Sequence, residues 1–268
     1  TNINTKYLPD YLLDENLTAT SSIEDIRSSL FILFCVPSNS FKEVLTKAIQ
    51  HINPDAFLIS AKKGIEEEGF LLMSQILENE TKGHDIGVIS GPNLAKEISL
   101  NQLTGTVIAS KSKVLQDECT KVFSSDSFRL YTNDDPYGVE LGGALKNIYA
   151  IACGIADGLD SGENTVGMIM TRGLAEMSRF AVNRGADPMT FLGLSGVGDL
   201  ITTCASPLSR NHALGTLIGK GLAIDEAPKE IGQTTEVFTP LKVVWKNAKE
   251  EGIEIPILHS SSKIIYGK

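Results

Sequence analysis

Apolar positions fall in short dense bursts through the first half of the chain and in long helical periods through the second. SLFILFCVPS (29–38) is a compact apolar run closed by Pro37, the pattern of a buried parallel strand. FKEVLTKAIQHI follows, with Phe41, Val44, Leu45, Ala48, Ile49 and Ile52 on one helical face, until Asn53 and Pro54 end it. AFLISAKKG predicts the next strand and FLLMSQILENE a helix. DIGVISGPNLAKEI reads as a strand running through Gly91 and Pro92 into another helix, while GTVIAS (105–110) and FRLYTND (128–134) read as two further strands. Strand and helix in alternation predict a doubly wound parallel sheet. After Asp135 and Pro136 the strand-like bursts stop, and helical periods separated by glycine loops continue to the end. The expected organisation is an α/β domain over 1–135 and an all-helical domain over 136–268.

Composition narrows the classes. The 268 residues are 42% hydrophobic, enough for a sizeable core and unlike a disordered chain. With 24 Lys and Arg against 33 Asp and Glu, the net charge of −9 argues against broad nucleic-acid binding but leaves room for a local basic pocket. The apolar run Leu30 to Val36 is far short of the roughly 20 residues a membrane helix needs, so no membrane partner is expected. Cys35, Cys119, Cys153 and Cys204 form no CxxC pair, and His51, His84, His212 and His259 lie far apart. Scattered thiols suit a reducing, cytoplasmic setting, and nothing has zinc-site spacing. The chain opens on Thr1 in TNINTKYLPDYLL, which reads as an interior segment with more sequence expected upstream.

Candidate chemistry collects at three strand ends, VPS (36–38), KKG (62–64) and SGPN (90–93), because ligands of open α/β sheets gather beyond the carboxyl ends of strands. In the helical half, SGVGDLITTCASPLSRNHALGTLIGKG (195–221) places Asp199 where it can cap a helix starting at Leu200. Pro207 breaks that helix, and Ser209 is set to cap the next. Arg210 and Asn211 then sit in a first helical turn, where free N–H groups and a guanidinium suit a phosphate; a solvated surface arginine is the alternative. LGGALKNIYAIACGIADG (141–158) carries Lys146 almost alone among small and apolar residues. Its ammonium either snorkels or pairs with a carboxylate such as Asp199, or works in a partly buried site shared with Asn147.

Taken in order, GVELGGALKN, TRGLAEMSR, GVGDLITTC, SRN and IGQTTE, with upstream NTKYLP, KKG and SGPNLAKE, resemble the bacterial NAD(P)-dependent glycerol-3-phosphate dehydrogenase family. The resemblance implies a Rossmann-like dinucleotide-binding domain followed by a helical substrate domain. It implies a homodimer that interconverts dihydroxyacetone phosphate and sn-glycerol 3-phosphate with NAD or NADP for phospholipid synthesis. Lys146 resembles the lysine that exchanges a proton with the substrate C2 oxygen. Lys63, Gly91, Asp199, Ser209, Arg210 and Asn211 match substrate-binding positions. Lys63, Asn93, Ala95, Arg210, Thr234 and Glu236 match cofactor-binding ones. The family's first strand and its GxGxxG turn lie upstream of Thr1, and Val237 stands where the family usually has glycine. Two other readings are a related hydroxyacid or phosphogluconate-type dehydrogenase and a non-catalytic nucleotide-binding homologue; retention of Lys63, Lys146, Asp199 and Arg210 together argues against the latter.

Overall fold

The computed structural model describes residues 3–6, 8–67, 69–232 and 238–267, so Thr234 and Glu236 lie outside the described residues. A hairpin of β1 (Ile3–Asn4) and β2 (Leu8–Leu12), which the apolar pattern does not announce, precedes the main sheet. That sheet has β3 (Phe31–Phe34), β4 (Phe57–Ser60), β5 (Ile86–Ser90), β6 (Thr104–Ser110) and β7 (Phe128–Asn133) in sequence order.

Alternate residues of each strand feed opposite faces, as period-two side chains must. On one face Ile32, Phe34 and Leu58 pack with Phe41 and Leu45 of α1 (Phe41–Ala48) and with Ile76 and Leu77 of α2 (Met73–Glu80). On the other, Ile59, Ile108 and Leu130 meet Leu115 and Cys119 of a later helix. Both faces are therefore covered, as expected for a doubly wound sheet.

The sheet departs from all-parallel at one place. β3, β4 and β5 run parallel, as do β6 and β7, but β6 is antiparallel to β5. Only the short α3 (Ala95–Ser99) separates those two strands, and so short a link returns the chain antiparallel instead of carrying it over the sheet. α4 (Lys113–Phe123), capped by Ser112, then makes a full crossover to β7.

The helical part starts at once. Asp135 accepts a hydrogen bond from Gly138 N (2.8 Å), and Pro136 occupies the first turn of α5 (Pro136–Gly158), where a missing N–H costs nothing. α5 is apolar around its whole circumference and correspondingly buried. It is long and apolar enough to cross a membrane, yet 94% of its apolar window lies inside the protein. Around it pack α6 (Glu163–Asn183), α7 (Asp199–Ala205), α8 (Arg210–Gly219), α9 (Ala227–Glu230), α10 (Thr239–Glu250) and α11 (Pro256–Tyr266).

The segment between β4 and α2 belongs to this second core. Ile65, Phe70 and Leu72 cluster with the helices, Phe70 packs on Phe180 at 5.7 Å, and the Arg184 guanidinium lies 3.9 Å from the Phe70 ring centre. A loop of the α/β part is thus built into the helical part.

Candidate active site

Three elements bring three charged side chains together where the two parts meet. Lys146 projects from the middle of α5 and is only 5% exposed. Lys63 lies just past the end of β4, its side chain 24% exposed. Asp199 opens α7 and is 1% exposed.

Lys63 Nζ donates to Asp199 Oδ2 (2.7 Å) and to the Gly91 carbonyl (3.1 Å), so it joins the ends of β4 and β5 to α7. Lys146 Nζ donates to Asp199 Oδ1 and to Thr203 Oγ1 (2.6 Å). Two ammonium groups therefore share one carboxylate, one on each oxygen. Gly143 makes the approach possible, since a Cβ there would stand 3.2 Å from Lys63 Cγ and 2.7 Å from Ser90 Oγ.

The electrostatics follow from that crowding. Burial and then the like charge of Lys63 pull the Lys146 ammonium down to about 7, against the upward pull of Asp199. An amine poised there can both hold and release a proton near neutral pH. Behind it, the Cys204 thiol is pushed far up by its hydrogen bond with Cys153 and by burial, so it stays protonated and unreactive.

Asp199 does not cap its helix. A π-helical turn over Leu194–Gly198 runs straight into α7, so the helix begins without a side-chain cap, and the carboxylate is left for the lysines. Ser209 does cap α8, accepting from His212 N (3.3 Å). Thr203 is a site residue that the sequence pattern does not single out; its signal is its place one helical turn after Asp199, on the same face.

α8 reaches the site by running parallel to α5 at very close range. A Cβ on Gly154 would lie 2.0 Å from the His212 carbonyl oxygen, one on Gly215 2.1 Å from that of Ile151, and one on Gly219 2.4 Å from that of Ile155. Because both chains ascend together through these contacts, the first turn of α8 lies level with Asn147 and Ala150. Ser209, Arg210 and Asn211 thus stand beside the middle of α5, about one turn from Lys146. Arg210 is exposed and makes no ion pair with any described residue. Asn147 is half-buried, its amide 3.4 Å from the Gly143 carbonyl.

Asn93 and Ala95 lie beyond β5. Asn93 Nδ2 donates to Thr106 Oγ1 (2.9 Å), leaving Oδ1 buried with no partner among the described residues. Ala95 is exposed at the start of α3, and no contact ties it to the lysine pair. Lys63, Gly91 and the orphan oxygen of Asn93 together offer a donor and an acceptor at the strand ends, a set that fits the polar edge of a nicotinamide.

A nucleotide-type α/β sheet joined to a helical bundle, with lysines from both parts on one buried carboxylate, defines a two-part dehydrogenase. The profile of the NAD-dependent glycerol-3-phosphate dehydrogenase N-terminus matches residues 1–116 and that of the C-terminus matches residues 135–268. The chain belongs to that family. It is 49% identical over 266 residues to glycerol-3-phosphate dehydrogenase [NAD(P)+] of Saccharophagus degradans, covering 99% of this chain and 74% of the relative. Among solved structures, it is similar to glycerol-3-phosphate dehydrogenase from Coxiella burnetii, with a TM-score of 0.94 and 35% identity over 99% of this chain and 82% of that one. The yeast enzyme of Saccharomyces cerevisiae gives a TM-score of 0.87 at 28% identity, over 99% and 80% of the two chains.

Proposed function

We propose that this protein interconverts dihydroxyacetone phosphate and sn-glycerol 3-phosphate with NAD(P)H, supplying the glycerol phosphate of phospholipids. The observation that carries the reading is the convergence of Lys63 and Lys146, from opposite parts of the molecule, on the single buried carboxylate of Asp199. A bound nicotinamide would supply the hydride that reaches C2.

The residues of this chain do the rest. Negative charge builds on the C2 oxygen as hydride arrives, and Lys146 stabilises that charge and delivers the proton, which completes the alcohol. Oxidation of glycerol phosphate runs the same path backwards, with Lys146 as the base. Asp199 holds the Lys146 ammonium in place, while Lys63 keeps its neighbour's proton labile by like-charge repulsion. Arg210, with Ser209, Asn211 and the free N–H groups of the α8 first turn, receives the phosphate. Lys63, Gly91, Asn93 and Ala95 line the cofactor side, and Arg210 is assigned to it as well; Thr234 and Glu236, expected to bind the cofactor, lie outside the described residues. In this reading 1–135 is the dinucleotide-binding domain and 136–268 the substrate domain, and the protein acts as a cytoplasmic homodimer without nucleic-acid or membrane partners. The free cysteines and the buried α5 support that setting.

The test is loss of nicotinamide absorbance on mixing the full-length protein with NADH or NADPH and dihydroxyacetone phosphate. Substrate-dependent oxidation is expected; none with either cofactor overturns the reading.

A further inference from the structure

Glu140 lies on α5, 1% exposed, and no role in the chemistry above falls to it. Its carboxylate accepts from Ser60 Oγ (3.1 Å), Ser74 N (3.1 Å) and Ser74 Oγ (2.5 Å), with a further bond from the Met73 N–H. No cation faces it among the described residues. Burial therefore pushes the carboxyl up to about 7, against these four donors.

What its partners hold is informative. Ser60 is the last residue of β4 and Ser74 lies in the first turn of α2, so they stand at the two ends of one loop, 61–72. That loop carries Lys63 at its start and Ile65, Phe70 and Leu72 inside the helical core. Glu140 thus gathers both ends of the Lys63 loop onto α5, the helix that carries Lys146 less than two turns further on. Lys63 and Lys146 must meet one carboxylate from opposite sides, and their spacing is set where the loop is fixed to the helix.

We propose that Glu140 is a positioning residue for the reaction: it clamps the base of the 61–72 loop to α5 and so holds Lys63 in register with Lys146 across Asp199. The proposal rests on the dehydrogenase function proposed for this site. A buried carboxylate with no counter-charge is a costly way to join two elements, and an apolar contact would have served for packing alone. The carboxylate supplies what an apolar contact lacks, four directed bonds that fix the loop ends in angle as well as distance.

The test uses the full-length protein and compares Glu140→Gln, which keeps shape but replaces one acceptor oxygen with a donor, with Ser60→Ala, which removes a single bond. In Glu140→Gln, turnover should fall about ten- to a hundredfold, the range set by small misplacement of reacting groups. The Michaelis constant for dihydroxyacetone phosphate should move less than about threefold, because the phosphate end of α8 is untouched. Ser60→Ala should show the same split, smaller, and the double variant should fall short of the product of the two effects. A second readout is independent of turnover: the pH dependence of Lys146 acetylation, followed by mass spectrometry. The groups facing Lys146 are Asp199, Lys63, Thr203 and the protonated Cys204. Release of Lys63 removes the like charge, so the Lys146 midpoint should move up in Glu140→Gln.

A lower melting temperature with unchanged turnover and an unchanged Lys146 midpoint would make Glu140 a strut only and overturn the proposal. If Glu140→Gln fails to fold, the same two readouts in Ser60→Ala decide the question. If the wild-type protein shows no substrate-dependent oxidation, the proposed function fails, and the Lys146 midpoint still decides whether Glu140 sets the lysine pair.

Discussion

Lys146 is where a single side chain tells structure from catalysis. Removing it as Lys146→Ala does not strand Asp199, because Lys63 still holds the other carboxylate oxygen at 2.7 Å. The variant should fold with little change in melting temperature while turnover drops by about two to four orders of magnitude, the range for lost acid–base help. Wild-type turnover in a folded Lys146→Ala would refute the proton-transfer role. Lys146→Arg should restore little, since a guanidinium keeps its charge but does not release a proton near neutral pH.

The same residue and Glu140 shape stability against pH in opposite ways. Glu140 titrates near 7 in the fold against an ordinary 4.5, so its contribution is full below 4.5 and is lost as pH rises through about 7. Lys146 titrates near 7 against an ordinary 10.5, so its contribution is full above 10.5 and is lost as pH falls through about 7. Between pH 5 and pH 8, Glu140→Gln should gain stability relative to wild type, on the order of 3 kcal/mol from the size of the shift. Urea midpoints at the two pH values check this, and a difference that stays constant with pH would contradict it.

At the scale of elements, close helix contact decides where the first turn of α8 lies, the end of the site proposed to receive the phosphate. Gly154 faces the α8 backbone so tightly that a methyl group would sit 2.0 Å from the His212 oxygen and 2.9 Å from Thr216 N, neither of which can swing aside. Gly154→Ala should force α5 and α8 apart, costing about 1–3 kcal/mol by overpacking. The Michaelis constant for the phosphate substrate should also rise several-fold, because the α8 first turn moves with the helix. Denaturation midpoints and initial rates measure both; a variant equal to wild type in each would show that the contact yields.

Much of the element order was legible in the sequence. Burst spacing locates β3 to β7 and α1, and the change at Asp135–Pro136 marks where α5 begins. The antiparallel turn from β5 to β6 is not legible, because buried strands read alike whichever way they run. Nor is the π-helical lead into α7, since glycines at 196 and 198 signal a loop as readily as a helix. Lys146, Asp199 and Ser209 stand out through their company in the chain. Glu140 and Thr203 do not, because their partners lie far away in sequence or only one helical turn along.

Across the whole molecule, the proposed site belongs to neither part alone. Lys63 and Gly91 come from the sheet, Lys146, Asp199 and Arg210 from the helices, and Ile65, Phe70 and Leu72 of the loop after β4 are packed into the helical core. A ligand held between these groups binds only the assembled fold, so it should stabilise both parts together. Glycerol 3-phosphate at about a hundred times its dissociation constant should raise the unfolding free energy by about 2.7 kcal/mol. One cooperative transition should move as a unit in calorimetry. Arg210→Ala isolates the phosphate contribution: the side chain is exposed, so the stability of the unliganded variant should stay within about 0.5 kcal/mol of wild type. At the same ligand concentration its shift should shrink strongly, because a charge-assisted contact of about 1.5–3 kcal/mol is gone and the dissociation constant rises at least tenfold. A ligand that moved only one of two separate transitions would show the parts unfolding independently. An undiminished shift in Arg210→Ala would place the phosphate away from the first turn of α8.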